Sequence, residues 1–119
     1  MRSRLADLEV DATDDLIVVR IAGEIDSSNA TELGHALLEH LSNTVRGMVL
    51  DITEVSYLDS TGIAFIFELA RALEARRQAL RIAVAGDGPV RRVLDLCAVG
   101  ALAPLDDDSA SSIDALTTG

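Results

Sequence analysis

The segment Asp59-Ser60-Thr61-Gly62 places a carboxylate and a serine hydroxyl at the start of a predicted helix. Serine is a favoured N-cap residue, because its side-chain oxygen accepts a hydrogen bond from a backbone N–H of the first helical turn. Capping by Ser60 is therefore the simplest interpretation. An aspartic-protease loop also contains Asp, Ser or Thr, and Gly, but there the three residues are consecutive and no helix follows them.

The helix predicted from Ser60 to about Gln78 carries two apolar stripes, since successive residues are rotated by about 100°. The core stripe comprises Phe65, Ile66, Leu69, Ala70 and Leu73. The second stripe comprises Ser60, Ile63, Ala64, Phe67 and Arg71. We therefore predict that Ile63 and Phe67 face outward beside Ser60. An exposed aromatic residue in a chain with only 3% aromatics indicates a surface that docks a partner.

Other groups with potential chemistry give weaker predictions. Asp51 ends a buried strand, where a receiver domain carries its phosphorylated aspartate, but that site also needs a lysine. All ten basic residues of this chain are arginine. The same absence excludes a Walker A loop, a protein-kinase ATP site and a Schiff-base enzyme.

No pattern predicts a metal or a cofactor. His35 and His40 are five residues apart on a predicted helix, and no Cys or Glu pair completes a tetrahedral site. Gly86-Asp87-Gly88 lacks the third glycine of a dinucleotide fingerprint and is predicted to be a turn. Cys97, the only cysteine, is predicted to be a packed core thiol at the end of a helix.

Composition narrows the class of protein. The 119 residues suffice for one domain, 1–119, with a substantial core, and 49% of them are hydrophobic. The net charge of −10 argues against direct binding of nucleic acid and against adsorption to an anionic membrane. No apolar run is long enough to cross a membrane, and the first ten residues lack the apolar core of a signal peptide. We therefore expect a cytoplasmic protein.

Hydrophobic patterning predicts an α/β domain with the order ββαβαβαβα, and hence a mixed, mostly parallel sheet of about five strands with about four helices. Gly23-Glu24-Ile25-Asp26 is predicted to break the second strand, and 53–58 to connect the third strand to its helix. Asn29 and Glu32 resemble a capping box. The predicted strands are 5–11, 16–22, 47–52, 80–85 and 102–105. The four predicted helices begin near Asn29, Ser60, Pro89 and Ser109. The helix from Ser60 is predicted to end near Gln78, and the helix from Pro89 near Val99.

The chain resembles the STAS domain family, and in particular bacterial anti-sigma factor antagonists, nearly from end to end. The resemblance is carried by Gly23-Glu24-Ile25-Asp26, Val49-Leu50-Asp51-Ile52, Asp59-Ser60-Thr61-Gly62-Ile63, the strand 80–86 and the helix 90–96. The Asp-Ser-Thr-Gly segment is the most specific of these. The last strand lacks the aromatic residue often found there.

The resemblance implies a phosphorylation-controlled partner switch. An unphosphorylated antagonist binds a serine-kinase anti-sigma factor, which holds the ATP, and so frees the sigma factor. The kinase phosphorylates the serine after the Asp, here Ser60, the phosphorylated form dissociates, and a serine phosphatase resets it. The chain itself would then have no catalytic residues and no cofactor.

On this basis we predict a docking surface around the phosphoacceptor Ser60, comprising Asp26, Asp59, Thr61, Gly62, Ile63 and Phe67. Gly62 is expected to let a partner backbone approach closely. One alternative is a STAS subunit of another complex, such as a lipid-transport ATPase or a stressosome-like scaffold. The other alternative is a small enzyme that uses Asp51 or Asp59.

Overall fold

The sheet is mixed, as the sequence predicts, with the spatial order β1-β2-β3-β4-β5. A computed structural model describes residues 6–13 and 15–118. Strands β1 and β2 pair antiparallel, and every later pair is parallel. The elements are β1 (Ala6–Ala12), β2 (Leu16–Ile25), α1 (Ala30–Glu39), β3 (Gly47–Leu58), α2 (Ser60–Ala75), β4 (Ala79–Ala83), α3 (Pro89–Leu96), a 3₁₀ turn (Val99–Ala101), β5 (Leu105–Asp106) and α4 (Ser109–Thr118).

Two layers of helix enclose the sheet. Alternate residues of each strand point to opposite faces. Helices α1, α2 and α3 pack against one face of the sheet and form a single core with it. Strands β2, β3 and β4 contribute alternate residues to this core: Ile17, Val19, Ile21, Met48, Leu50, Ile52, Leu80 and Ile82. The other face carries Arg81 and Asp106, and α4 packs there, with the Ser112 hydroxyl donating to Asp106 (2.7 Å). The predicted element order and mostly parallel sheet are confirmed.

Strands β2 and β3 are longer than predicted. Gly23 does not end β2: it adopts a positive φ of 108°, and the pairing with β3 shifts register there while the strand continues to Ile25. The predicted connection 53–58 is strand, because Glu54, Val55, Tyr57 and Leu58 continue the parallel pairing with β2. Of the predicted first hairpin, Leu5 and Asp14 lie outside the described residues.

Helix α1 begins after Asn29, but the predicted capping box does not form. Asn29 makes no capping hydrogen bond and is only 1% exposed. Its amide nitrogen donates to the Glu24 carbonyl (2.8 Å), and its Oδ1 accepts from the Asp26 backbone N–H (3.1 Å). The side chain therefore braces the loop before the helix instead of the helix itself.

Helix α3 begins at Pro89, as predicted, but ends at Leu96 instead of Val99. Ala98 has a left-handed backbone (φ 56°), which turns the chain away from the helix axis. Cys97, at the carboxyl end of this helix, is exposed, and the prediction of a packed core thiol is wrong. No helix within 6–13 and 15–118 is long and apolar enough to cross a membrane.

In the carboxyl-terminal part of the chain, the last strand lies at a different position from the predicted one. Strand β5 has two residues, later than the predicted 102–105. Helix α4 follows as expected, and Asp108 Oδ1 accepts from the Ser111 backbone N–H (2.7 Å) at its first turn.

Candidate functional site

The sheet brings Asp26 and Asp59 to one edge. Ile25 and Leu58 are register partners at the ends of the parallel strands β2 and β3. Asp26 and Asp59 follow them directly, and the Asp59 backbone N–H lies 3.4 Å from the Ile25 carbonyl oxygen. The two carboxylates predicted to belong to the site therefore come from adjacent points of the backbone, where α1 and α2 both begin.

Asp59, not Ser60, caps helix α2. Its backbone is extended, and its Oδ1 accepts from the Thr61 N–H (2.9 Å) and the Gly62 N–H (3.0 Å). These bonds satisfy two of the donors that a helix leaves unpaired at its first turn. The prediction that Ser60 acts as the cap is wrong, and its hydroxyl is released from that role.

Ser60 is exposed at the first position of α2, while the neighbouring Thr61 is half-buried. A hydroxyl on an exposed residue in this position is open to a second protein. The positive end of the helix dipole is also here, which favours an added negative charge on the isolated chain.

Gly62 is buried, and steric contacts within the chain explain why this position holds a glycine. A Cβ built at this position would collide with Leu58 Cδ1 and would lie 3.0 Å from the Ile25 carbonyl oxygen. The missing side chain lets the first turn of α2 pack on the ends of β2 and β3. The expectation that Gly62 lets a partner backbone approach is therefore not needed to explain the residue.

The outward stripe predicted beside Ser60 is only partly present. Ile63 is 8% exposed and belongs to the core, so its predicted outward orientation is wrong; Phe67 is half-buried and packs against the core. On the helical wheel Ile63 lies only about 20° from Ala70, a residue predicted to be in the core. The buried arc of α2 is wider than the helical wheel predicted, and Ser60, Ala64 and Arg71 are the members of the stripe that remain exposed.

An exposed aromatic residue does lie near Ser60, but it is one that sequence reasoning missed. Tyr57 is 49% exposed near the end of β3, and its register partner in β2 is the exposed Glu24. It was missed because 53–58 was interpreted as a connection. The period-2 pattern of Thr53, Val55 and Tyr57 around the polar residues Glu54 and Ser56 is the signal that could have identified a strand.

The loop that carries Asp26 is ordered by its own side chains. Asp26 Oδ1 accepts from the Ser28 backbone N–H (2.9 Å) and from the Ser28 hydroxyl (2.6 Å). Together with the bonds from Asn29 described above, these contacts hold a half-buried carboxylate beside the start of α2. Its second oxygen is not used in these bonds.

Asp51 lies apart from this edge. Residues 52–58 of β3 separate it from Asp59, and its side chain is buried on the sheet face opposite the α1–α3 core. Its Oδ1 accepts from the Thr53 N–H (3.0 Å) and hydroxyl (2.7 Å), and Arg20 Nε lies 3.8 Å from Oδ2. The structure does not bring Asp51 and Asp59 together as a catalytic pair.

The charged groups with shifted pKa values are structural. Arg81 donates two hydrogen bonds to Asp106 (2.8 and 3.0 Å), and Ser112 donates a third. These hydrogen bonds lower the pKa of the Asp106 carboxyl, and the contribution of Arg81 is the largest. Burial of the carboxyl acts in the opposite direction. The pKa of Arg81 is raised by the same pair. This network joins β4, β5 and α4, and it is separate from the edge that carries Ser60.

Metal ligands do not cluster in the described part of the chain. Within residues 6–13 and 15–118, no group of three or more His, Cys, Asp or Glu side chains could hold an ion. His35 is exposed on α1 and His40 follows that helix.

Comparison with known proteins agrees with this fold. The profile of the family described as the STAS domain matches residues 7–112. An anti-sigma-B factor antagonist of Listeria monocytogenes is 38% identical over 68 residues, or 56% of this chain. The same protein of Listeria innocua matches equally well. The matched segment spans 58% of the length of these relatives.

Solved structures share the fold at lower identity. An anti-sigma factor antagonist from Mycobacterium paratuberculosis has a TM-score of 0.83 at 22% identity, covering 94% of both chains. SpoIIAA in its unphosphorylated form has a TM-score of 0.75 at 21% identity, covering 94% of this chain and 97% of that one. The phosphorylated form of SpoIIAA, from Bacillus, has a TM-score of 0.67 at 20% identity, covering 92% of this chain and 98% of that one. The five-stranded mixed sheet, the helices that flank it and the family match over residues 7–112 place this chain in the STAS domain family.

Proposed function

We propose that this chain is an anti-sigma factor antagonist whose binding is switched by phosphorylation of Ser60. The observation that carries the proposal is the exposed Ser60 hydroxyl, which Asp59 releases from capping at the edge shared with Asp26. The names of the Listeria relatives and of the structural neighbours support the same role. The partner would be a serine-kinase anti-sigma factor that supplies the ATP, and a serine phosphatase would reverse the modification.

The geometry favours Ser60 over its neighbours as the acceptor. Thr61 is half-buried in the first turn, and its backbone N–H is held by Asp59. Ser28 is exposed at the same edge, but its hydroxyl donates to Asp26 (2.6 Å). Ser60 is exposed and makes no side-chain hydrogen bond to any described residue, and unlike the exposed Ser27 of the preceding loop it lies at the start of a helix, whose dipole favours an added phosphate.

A phosphate on Ser60 would alter the charge of the docking edge while leaving the fold in place. It adds about −1.5 to −2 charges at neutral pH. Asp26 and Asp59 already make this edge acidic, so a partner that docks here must present basic or hydrogen-bond donor groups and few acids. One pair of unit charges about 6 Å apart, at an effective dielectric of about 20, interacts by roughly 3 kcal/mol. Since about 1.4 kcal/mol changes an affinity tenfold, one phosphate is sufficient for a switch.

Glycine and apolar residues of the predicted site take supporting roles in this proposal. Gly62 and Ile63 shape the first turn of α2 from inside, and Phe67 supports the exposed face from its half-buried position. The surface that meets the partner would then consist of Asp26, Tyr57, Asp59, Ser60, Thr61 and Ala64.

The test is to incubate the chain with a serine-kinase anti-sigma factor from its own genome and ATP, and to map the phosphopeptide. We expect one phosphate, on Ser60. Ser60→Ala should abolish labelling while it retains kinase binding, and the matched variants Thr61→Ala and Ser28→Ala should be labelled like the unmodified chain. A phosphate on Thr61 or Ser28, or no labelling by any such kinase, would contradict the proposal.

A further inference from the structure

A groove of about 350 Å³ separates helices α1 and α2 on the surface of the molecule. Its floor includes Gly34, Phe65 and Leu69, and its rims include His35 and Leu38 from α1 and Glu68 from α2. The floor is apolar, and Leu38 is a large aliphatic side chain that remains 38% exposed. A groove with an apolar floor and one ionised wall suits a side chain from another protein.

Gly34 keeps this groove open although the packing of the chain does not require a glycine there. It lies inside the ten-residue helix α1, where alanine has the higher helix propensity. A Cβ at this position would lie 3.5 Å from Phe65 Cδ1, which is an ordinary van der Waals contact. The absence of that side chain therefore leaves space above Phe65 without relieving any collision.

The groove begins at Ala30, the first residue of α1, and on α2 at Phe65, which follows Ser60 by five residues. Helices α1 and α2 both begin where β2 and β3 end, so the groove opens toward that edge. Ser60, Ala64 and Glu68 are exposed at intervals of four residues and form one line along α2. At about 1.5 Å per residue, Glu68 is about 12 Å from Ser60 along the helix axis. A partner that contacts Ser60 and extends about this distance along α2 would reach the groove.

Charge indicates what the occupant carries. Among the residues that the structure describes, no cationic group lies within ion-pair distance of Glu68. Arg71 follows on α2 beyond the residues that line the groove. The Glu68 carboxylate is thus available to a basic side chain presented beside an apolar one.

We infer that this groove receives an aliphatic side chain of the anti-sigma factor, within one helical turn of an arginine or lysine that pairs with Glu68. The inference rests on the proposed function and extends its docking surface along α2. It also explains why Gly34 and the exposed Leu38 stand together on a helix that otherwise packs by its inner face.

The test uses a serine-kinase anti-sigma factor from the same genome as the probe. A photo-crosslinking benzoylphenylalanine at position 38 should couple to the unphosphorylated complex, and the partner peptide should contain an aliphatic and a basic residue. The same group at position 96 is the control, because Leu96 is 80% exposed on α3, away from the groove. We expect no coupling from that position.

Two pairs of variants test the groove by affinity. Gly34→Leu fills it and should weaken binding at least tenfold, whereas Ala110→Leu, on the exposed side of α4, should leave binding unchanged. Glu68→Gln should weaken binding severalfold and reduce its dependence on salt, whereas Glu74→Gln should do neither. Circular dichroism establishes that each variant is folded; if Gly34→Leu does not fold, the Glu68 pair and the crosslink decide.

The outcomes separate the two proposals. If the unmodified chain binds no such anti-sigma factor, the proposed function fails and the groove inference fails with it. If the unmodified chain binds but position 38 does not couple and Gly34→Leu binds within twofold, the groove inference is overturned while the proposed function stands. Coupling from position 38 to a second copy of this chain instead of the anti-sigma factor would also overturn it.

Discussion

The Asp59 carboxylate lies 3.0 Å from the backbone nitrogen of Gly62 and accepts its hydrogen bond. This contact assigns the capping of α2 to Asp59 and leaves the adjacent Ser60 hydroxyl exposed. The division of roles has a direct thermodynamic consequence, because a residue that does not cap can be altered at little cost.

We predict that Ser60→Ala changes the free energy of unfolding by less than about 0.5 kcal/mol, as is typical of exposed positions. Asp59→Ala should lower it by about 0.5–2 kcal/mol, since two N–H groups lose their acceptor. Urea denaturation of the two variants at neutral pH measures both values. A larger loss for Ser60→Ala than for Asp59→Ala would return the capping role to Ser60.

Substitutions of two glycines by alanine should change the free energy of unfolding in opposite directions. Gly62→Ala should destabilise the protein by about 1–3 kcal/mol, because its Cβ collides with Leu58 and crowds the Ile25 carbonyl. Gly34→Ala should stabilise it by up to about 1 kcal/mol, since the new methyl group fits and the helix gains propensity. Thermal and urea unfolding of both variants provide the check. A Gly62→Ala protein as stable as the unmodified chain would show that the first turn of α2 is not packed as described.

Ile63→Ala should lower the free energy of unfolding by about 2–5 kcal/mol, because the side chain is buried in the core. Ala64→Ser, at the adjacent exposed position, is the control and should change it by about 0.5 kcal/mol or less. Equal, small effects for both would restore the outward orientation that the helical wheel predicted for Ile63.

The pair of Arg81 and Asp106 should make stability depend on pH. The pKa of Asp106 is lowered in the folded state, so its contribution is present above the unfolded pKa, near 4, and is lost as pH falls through the folded pKa. We expect Asp106→Asn to cost about 1–3 kcal/mol at pH 7, because it weakens hydrogen bonds to a charged group, and less at the acid end of that range. Urea unfolding at several pH values below 5 and at pH 7 measures this change.

The control for that experiment is Asp87→Asn, a change of the same kind at an exposed position. Its effect should be about 0.5 kcal/mol or less at every pH. A destabilisation by Asp106→Asn that is as large at low pH as at pH 7 would contradict the linkage described above.

Hydrophobic patterning predicted most of the fold. The runs 16–22 and 47–52 are nearly continuous apolar segments, as expected of strands covered on both faces, and both are largely buried. The stripe of Phe65, Ile66, Leu69 and Leu73 has the period of a helix and packs in the core as expected. The order of elements then fixes a mostly parallel sheet. Side chains buried against a common core leave a periodic signal in the sequence, and this is why these parts could be predicted.

The incorrect predictions have physical causes that hydrophobic periodicity in the sequence does not reveal. Strand β3 continues through Glu54, Ser56 and Tyr57, which are exposed, so 53–58 resembled a connection. Cys97 follows the apolar residues of α3 at helical spacing, but the helix ends at Leu96 and the thiol is exposed. Asn29 was predicted to cap a helix because its side chain can do so, but tertiary contacts with Glu24 and Asp26 compete for the same atoms.

The residues of the candidate site were predicted mainly from the resemblance to the STAS domain family and from the Asp-Ser-Thr-Gly segment, and less from the hydrophobic pattern. Asp26, Asp59 and Ser60 do come together, because parallel strands end at one edge. The outward orientation predicted for Ile63 was wrong, since an apolar residue at the border of a helix face can belong to either face. Tyr57 was missed for the same reason as the second half of β3.

The central claim is that one phosphate on Ser60 switches the affinity for the anti-sigma factor. Isothermal titration calorimetry of the unmodified and the Ser60-phosphorylated chain against the same anti-sigma factor measures it directly. We predict that phosphorylation raises Kd by at least about a hundredfold, which corresponds to about 2.7 kcal/mol. Equal Kd values for the two forms, with both shown to be folded, would contradict the account.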